Sequence, residues 1–278
     1  MRRFLFIAVA LAAAPFGAAL AARAQGQQDQ GPMAPPPTYD VKRIPSVPHP
    51  GPPPIPQEQI IQKFAANEDV MKKAYDTYDF TQTLRIEEVE DSGGKLTATG
   101  DVYTLADGKR AWHVATPIAS TLKSAIYSLE EVRTMATIPL FVLTSNEIAN
   151  YNFLYAGQDK LDELNTYVFQ VKPKQLSLTR RFFEGVIWVD DHDFAIVRSY
   201  GKLVGDFHAE RDALPFKMFE TYRENFQEKY WLPTYTTSDD YVDQPPDAQL
   251  HLRLIIRATG FKLQPASPPP PPNPAPAN

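Results

Sequence analysis

The chain contains no cysteine. That absence removes disulfides and thiolate metal sites, and with them the residue through which exported bacterial proteins carry a lipid anchor. Signatures of catalysis are missing too. The histidines at 49, 113, 192, 208 and 251 never form His-Glu-x-x-His, and no Gly-x-Ser-x-Gly elbow occurs. Gly201-Lys202-Leu203-Val204-Gly205 lacks the spacing and the hydroxyl of a phosphate loop. His208-Ala209-Glu210 resembles a deaminase zinc fragment, but that chemistry needs cysteine ligands. There is no surplus of basic charge: the formal net charge is -5, and polyphosphates reward clustered Lys and Arg, so nucleic acid is not an expected partner. Long apolar runs are confined to the N-terminus. Beyond it the longest is IPLFVL, residues 138–143, far short of the roughly 18 residues needed to span a bilayer. The expectation is therefore a protein without catalytic residues, metal or cofactor.

What is present begins with an export signal. Arg2 and Arg3 precede the apolar stretch FLFIAVALAAAPFGAAL, residues 4–20, and Ala22-Arg23-Ala24 has the small-x-small form of a cleavage site. Residues 1–24 are read as a secretory signal peptide of the general route, with the mature chain soluble and exported to a bacterial periplasm. Its removal takes away three arginines and no acid, so the net charge moves from -5 to -8. Proline marks the next boundaries. Residues 31–56 hold 11 prolines and residues 264–278 hold eight. Such segments favour extended conformations and build no core, so residues 25–56 and 264–278 are read as disordered spacers, with service as ligands for a proline-binding partner as the alternative. Residues 57–263 remain as one domain.

Residues 57–76 carry a helical pattern, with Ile60, Ile61, Phe64 and Ala65 on one face and Asn67 as the cap of a second helical piece. Ser128 and Glu131 have the spacing of a capping box, and IPLFVL suggests a further short helical or loop segment. Strands dominate elsewhere, at 79–90, 95–106 and 109–115, with Asp91-Ser92-Gly93-Gly94 and Asp107-Gly108 as hairpin turns. They resume at about 151–156, 164–172, 180–189, 193–200, 215–224, 229–237 and 247–260. The last alternates most clearly: Leu250, Leu252, Leu254, Ile256 and Ala258 share one side. Some ten strands and few helices predict a mainly β (α+β) fold, one curled antiparallel sheet with a few covering helices, and an apolar face with more area than those helices hide.

The stretch Asp190-Asp191-His192-Asp193 poses the sharpest local question. Three carboxylates and an imidazole are metal-ligand types. They also sit between two alternating strands, where Asp favours turns by bonding nearby backbone N–H groups; a tight turn splays side chains apart, and the turn is the reading taken. Lys172, Lys174, Arg180 and Arg181 form a basic group, read as a sheet edge protected by charge and alternatively as a contact for a headgroup or acidic partner. His113 and His251 are expected on the sheet surface.

FFEGVIWVDDHDFAIVRSYGK (182–202) and FETYRENFQEKYWLPTYTTSDDY (219–241) resemble the outer-membrane lipoprotein-sorting, LolA-like family, as do Tyr151-Asn152-Phe153 and the strand from Tyr167 to Pro173. The resemblance is good over 150–260 and looser over 57–150, and the proline-rich flanks are additions to it. It implies a half-barrel, an incomplete antiparallel barrel lidded by helices, whose interior holds acyl chains and whose members carry lipoproteins across the periplasm. Related half-barrels regulate envelope-stress signalling by contacting a membrane protein, which makes an interaction module with an inner- or outer-membrane partner the alternative. A metal-dependent hydrolase using Asp190 to Asp193 is the weaker one. The residues expected to face the acyl chain, as cavity wall or as core, are Leu84, Ile86, Leu96, Val102, Trp112, Ile187, Ile196, Met218, Leu252 and Leu254.

Overall fold

The computed structural model describes residues 48–89, 93–105, 109–115, 117–137, 141–205, 216–244 and 248–264. The expected leader, most of the first proline-rich segment, the C-terminal tail, the Asp107-Gly108 turn, Asp91 and Ser92 of the first hairpin turn, and residues 138–140 lie outside them.

Helix α1 (Gln57–Thr77) follows Pro56, whose carbonyl accepts the amides of Gln59 and Ile60 at 2.9 and 3.3 Å. Proline suits this place because its fixed φ is helix-compatible and the missing N–H has no partner there to lose. Ile60, Phe64, Glu68, Met71 and Tyr75 recur at spacings of four or three and form the buried stripe. The helix is continuous, which corrects the expectation of two pieces. Asn67 caps nothing; its side-chain amide donates to the carbonyls of Asp193 (2.5 Å) and Phe194 (3.0 Å), so tertiary bonds hold a residue of modest helix propensity inside the helix. A second helix, α2 (Leu129–Ala136), starts with the expected capping box, in which Ser128 Oγ accepts from the Glu131 amide and the Glu131 carboxylate accepts from the Ser128 amide.

The strands are β1 (Tyr78–Glu88), β2 (Lys95–Thr104), β3 (Arg110–Val114), β4 (Ala119–Ser120), β5 (Tyr151–Leu161), β6 (Leu164–Pro173), β7 (Phe182–Asp190), β8 (Ile196–Val204), β9 (Phe219–Phe226), β10 (Tyr230–Gln244) and β11 (Ala248–Leu263). They form one 11-stranded sheet in the order β3-β2-β1-β11-β10-β9-β8-β7-β6-β5, with β4 also paired to β2 and every pairing antiparallel. The sheet is open, since β3 and β5 end it. This is the mainly β architecture expected, with two helices among the described residues on one face. A sheet this wide curls under its own strand twist.

Bulges interrupt the alternation within the strands. Registers shift between Asp79 and Thr81, Tyr155 and Gly157, Trp188 and Val189, and Pro233 and Tyr235. Each inserts a residue and inverts the alternation beyond it. The edge of β5 is covered by the chain's own proline-rich segment: His49 pairs with Gln158 through two backbone bonds of 2.7 and 3.1 Å, and Ile55 packs against the core. The last residues of the proline-rich segment thus touch the sheet at His49 and Ile55. Prolines there offer few N–H groups to a further strand, one way of blunting an edge.

The outer face of the sheet is largely self-satisfied. Trp188, Arg198, Tyr222, Tyr235 and Arg257 oppose one another in turn across β7 to β11. The Arg198 guanidinium lies 4.3 Å from the Trp188 ring centre and that of Arg257 lies 4.9 Å from Tyr235.

Candidate functional site

The inner face is read directly from the register. One row of directly opposed residues runs Tyr155, Phe169, Ile187, Ser199, Thr221, Thr236, Ile256, Leu84, Ala98. Its two ends are apolar and its middle is polar. Ser199, Thr221, Thr236 and Ser238 are all buried, and the hydroxyls of Thr221 and Thr236 bond each other at 2.8 Å. The same strip carries Arg223, which pairs with Glu68 of α1; the two side chains are 4% and 2% exposed. Glu68 Oε2 accepts from Arg223 Nη2 at 3.1 Å and from the Leu143 amide at 3.3 Å. A buried charge is tolerated only when paired and fully bonded, and this pair is both.

The strip divides the inner face into two apolar basins. One lies under the first half of α1, where Ile60, Phe64 and Leu143 meet Phe169, Ile187 and Ile196. The other lies under α2, where Val132, Met135 and Ala136 meet Leu84, Ile86, Leu96, Leu252 and Leu254. Val102 belongs to a smaller group beneath the last turns of α1, with Met71, Tyr75, Phe80 and Leu232. Trp112 packs against both that group and the α2 basin, at the seam between the helices. Met218 stands apart, partly buried before β9, and its carbonyl accepts from Ser238 Oγ at 2.6 Å.

The ten residues expected on the acyl face are therefore split. Five line the α2 basin, two the α1 basin, Val102 and Trp112 the region between, and Met218 neither. Leu84, Ile86, Ile187, Ile196, Leu252 and Leu254 are completely buried, packed by the chain's own side chains. Three clefts are lined by other residues: about 410 Å³ around Glu88, Gly94 and Thr121; about 220 Å³ around Asn67, Glu68, Arg223 and Trp231; and about 540 Å³ around Asp79, Asp101, Tyr103 and His113. In this structure the expected acyl face is core.

The cover over the α2 basin is held differently from the rest. Among the described residues between β3 and β5, it shares only the two-residue pairing of β4 with the sheet ladder. Gln82 Nε2 donates to the carbonyl of Ala136 at 3.2 Å. At the far end Glu88 accepts the amides of Gly94, Lys123 and Ser124 at 2.7, 2.9 and 2.6 Å. Burial pushes the Glu88 carboxyl up, and these backbone donors outweigh it, leaving its pKa below the usual carboxylate value. Sequence reasoning overlooked Glu68, Glu88 and Arg223. A signal for two of them exists: Glu68 falls in the apolar stripe of its helix, and Arg223 falls in the inward phase of β9 with Phe219 and Thr221.

Asp190 to Asp193 form a turn. Asp190 Oδ2 accepts the amides of His192 (3.1 Å) and Asp193 (2.6 Å), and Phe194, at φ 53, donates its amide to the Asp190 carbonyl at 3.0 Å. Asp190, His192 and Asp193 each place a ligand-type atom within 4.8 Å of the others. Those atoms are engaged: Asp193 bonds His192 Nδ1 at 2.8 Å and accepts from Trp231 Nε1 at 3.1 Å. Burial raises the pKa of Asp190, and its two backbone donors only partly offset this. In the basic group, Lys174 donates to the Ala149 carbonyl at 2.8 Å and Arg180 pairs with Glu147, so both tie the β6–β7 loop to the segment before β5. His113 is exposed, and His251 stacks on Tyr241 at 4.5 Å.

Among the described residues no helix is long and apolar enough to cross a membrane. No family model matches the chain, and no curated protein matches it. Similar solved structures include a DUF1329 family protein from Desulfovibrio piger, at 11% identity and TM-score 0.38, over 74% of this chain and 95% of that one. A LolA superfamily protein from Nitrosomonas europaea is 10% identical at TM-score 0.36, over 77% of this chain and 96% of that one. The Mycobacterium tuberculosis lipoprotein LppX is 10% identical at TM-score 0.28, over 76% and 99%. At these values the likeness transfers no residue roles to this chain.

Proposed function

We propose that this protein is a non-catalytic periplasmic carrier that holds acyl chains of a lipid or lipoprotein against the inner face of its sheet, within the α2 basin. The observation that carries this reading is how lightly the cover over that basin is held. Nine buried sheet residues, Leu84, Ile86, Leu96, Ala98, Val114, Phe219, Leu252, Leu254 and Ile256, lie beneath an eight-residue helix and irregular chain. Among the described residues, α2 is tied to the sheet by the hydrogen bond from Gln82 and by no main-chain pairing of the long strands. The α1 basin is closed by a 21-residue helix that runs straight into β1 and is locked by the Glu68–Arg223 pair.

The energetics allow an exchange. Lifting the cover exposes apolar surface on both the sheet and α2, and a guest tail re-covers the sheet side. Each buried methylene contributes about 0.8 kcal/mol, so a long chain supplies on the order of 10 kcal/mol before ordering costs. Such a site needs no catalytic group. Native mass spectrometry of protein purified from a membrane-containing lysate, followed by solvent extraction, tests this. Recovered lipid or acylated peptide is the expected result. A protein free of lipid that also fails to bind a fluorescent fatty acid overturns the reading.

A further inference from the structure

Four buried side-chain polar atoms lack a hydrogen-bond partner among the described residues, and three of them belong to two neighbours: Arg110 Nε, Arg110 Nη2 and Trp112 Nε1. All three are donors. Arg110 and Trp112 stand two positions apart on β3, so they leave the same face of the strand, and β3 is an end strand of the sheet. Opposite them in register are Thr104 and Val102. Arg110 spends only Nη1, on the Tyr78 carbonyl and on Thr104 Oγ1, both at 2.8 Å. Its guanidinium lies 5.2 Å from the ring centres of both Tyr75 and Phe80. The nearby carboxylates are occupied elsewhere: Asp76 pairs with Lys72, and Asp79 accepts from Gln264 at 2.7 Å.

Both residues are half-buried, but these donor atoms are shielded from solvent; shielded donors left bare are costly, and proteins rarely keep them without a use. Here they sit where the α2 basin meets the group under α1, with Trp112 touching both. From Val102, the register partner of Trp112, β2 runs inward to Leu96 in the basin. Six residues at about 3.3 Å each make that path roughly 20 Å long. Building on the carrier reading above, we infer that Arg110 and Trp112 form the headgroup end of the acyl site, donating hydrogen bonds to the oxyanion (carboxylate or phosphate) of an amphiphile whose tail runs under α2. The planar guanidinium presents two adjacent N–H groups to one anion, a geometry that suits both oxyanions.

The test uses the delipidated, full-length mature chain and three probes. These are cis-parinaric acid, its neutral methyl ester, and inorganic phosphate as a competitor. Three proteins are compared: wild type, Arg110→Lys, which keeps the charge but removes Nε and Nη2, and Trp112→Phe, which removes Nε1. The expected result is about tenfold weaker binding of the acid by each variant with the ester unaffected. Millimolar phosphate is expected to leave the bound acid in place. Equal losses for acid and ester, or no loss for either, overturn the headgroup assignment while leaving the carrier reading intact. Displacement by phosphate assigns the donors to a free anion and also overturns it. If wild type binds neither the acid nor the ester, the carrier reading itself fails. Circular dichroism of each variant at the assay temperature confirms that a lost signal is not lost folding.

Discussion

The buried pair at the centre of the polar strip gives the most quantitative prediction. Glu68→Gln keeps the size and one acceptor of the side chain but removes its charge and turns an amide N–H₂ toward Arg223. In the native protein both carboxylate oxygens bond the guanidinium, and Oε2 also holds the Leu143 amide. With the two side chains 2% and 4% exposed, water replaces little of what is lost. Removing one partner of a buried pair costs about 3–5 kcal/mol, against a total stability on the order of 5–15 kcal/mol. With a urea m-value of about 2–3 kcal/mol/M for a domain of this size, the midpoint should fall by roughly 1–2 M at unchanged slope. Replacing both partners, Glu68→Leu with Arg223→Met, should recover most of that loss, because neither charge is left unpaired. A Glu68→Gln midpoint within the error of wild type, or a double variant weaker than the single, would refute the pair's role in closing α1 over its basin.

Two further substitutions probe the cover and the turn. Glu88→Gln should lower stability by about 1–3 kcal/mol at neutral pH through weakened bonds to three backbone amides. Because the folded pKa of Glu88 lies below its unfolded value, its contribution is present above the unfolded pKa and lost as pH falls through the folded one. Melting curves from neutral pH down to about pH 2.5 should therefore converge for wild type and variant at the acid end; curves that stay parallel contradict this. Asp190→Asn should leave the melting temperature unchanged or raise it, since the turn uses Asp190 as a neutral-compatible acceptor and burial disfavours its charge. Asp190→Ala should cost about 1–2 kcal/mol. A metal-held turn would behave otherwise, with Asn as damaging as Ala and stoichiometric metal in the purified protein.

The inner face was legible because side chains alternate strictly along a strand. Leu250 to Ala258 on β11 kept one phase throughout, and Leu84, Ile86 and Leu96 were assigned to the face they occupy. The turn at Asp190 was legible from local chemistry. Strand ends were not, because how far a strand runs depends on its partner: β10 continues to Gln244 by pairing with β11. Asn67 looked like a cap because its partners, Asp193 and Phe194, lie more than a hundred residues on. Whether the apolar face is hollow or filled depends on how α2 and the segment at 141–143 seat against it, a property of packed volumes that periodicity does not encode. Arg110 drew no notice, since an arginine on an edge strand is ordinary until two of its donor nitrogens are seen to be shielded and unpaired among the described residues.

Photo-crosslinking with a diazirine fatty acid, followed by peptide mapping, tests the carrier claim most directly. Adducts are predicted on peptides carrying Leu84, Ile86, Leu96, Leu252 and Leu254 and on α2 at Val132 and Met135, all of them buried in the free protein. Adducts confined to exposed apolar residues such as Leu154, Leu176 and Leu178, or no adducts at saturating probe, would contradict an acyl site beneath α2.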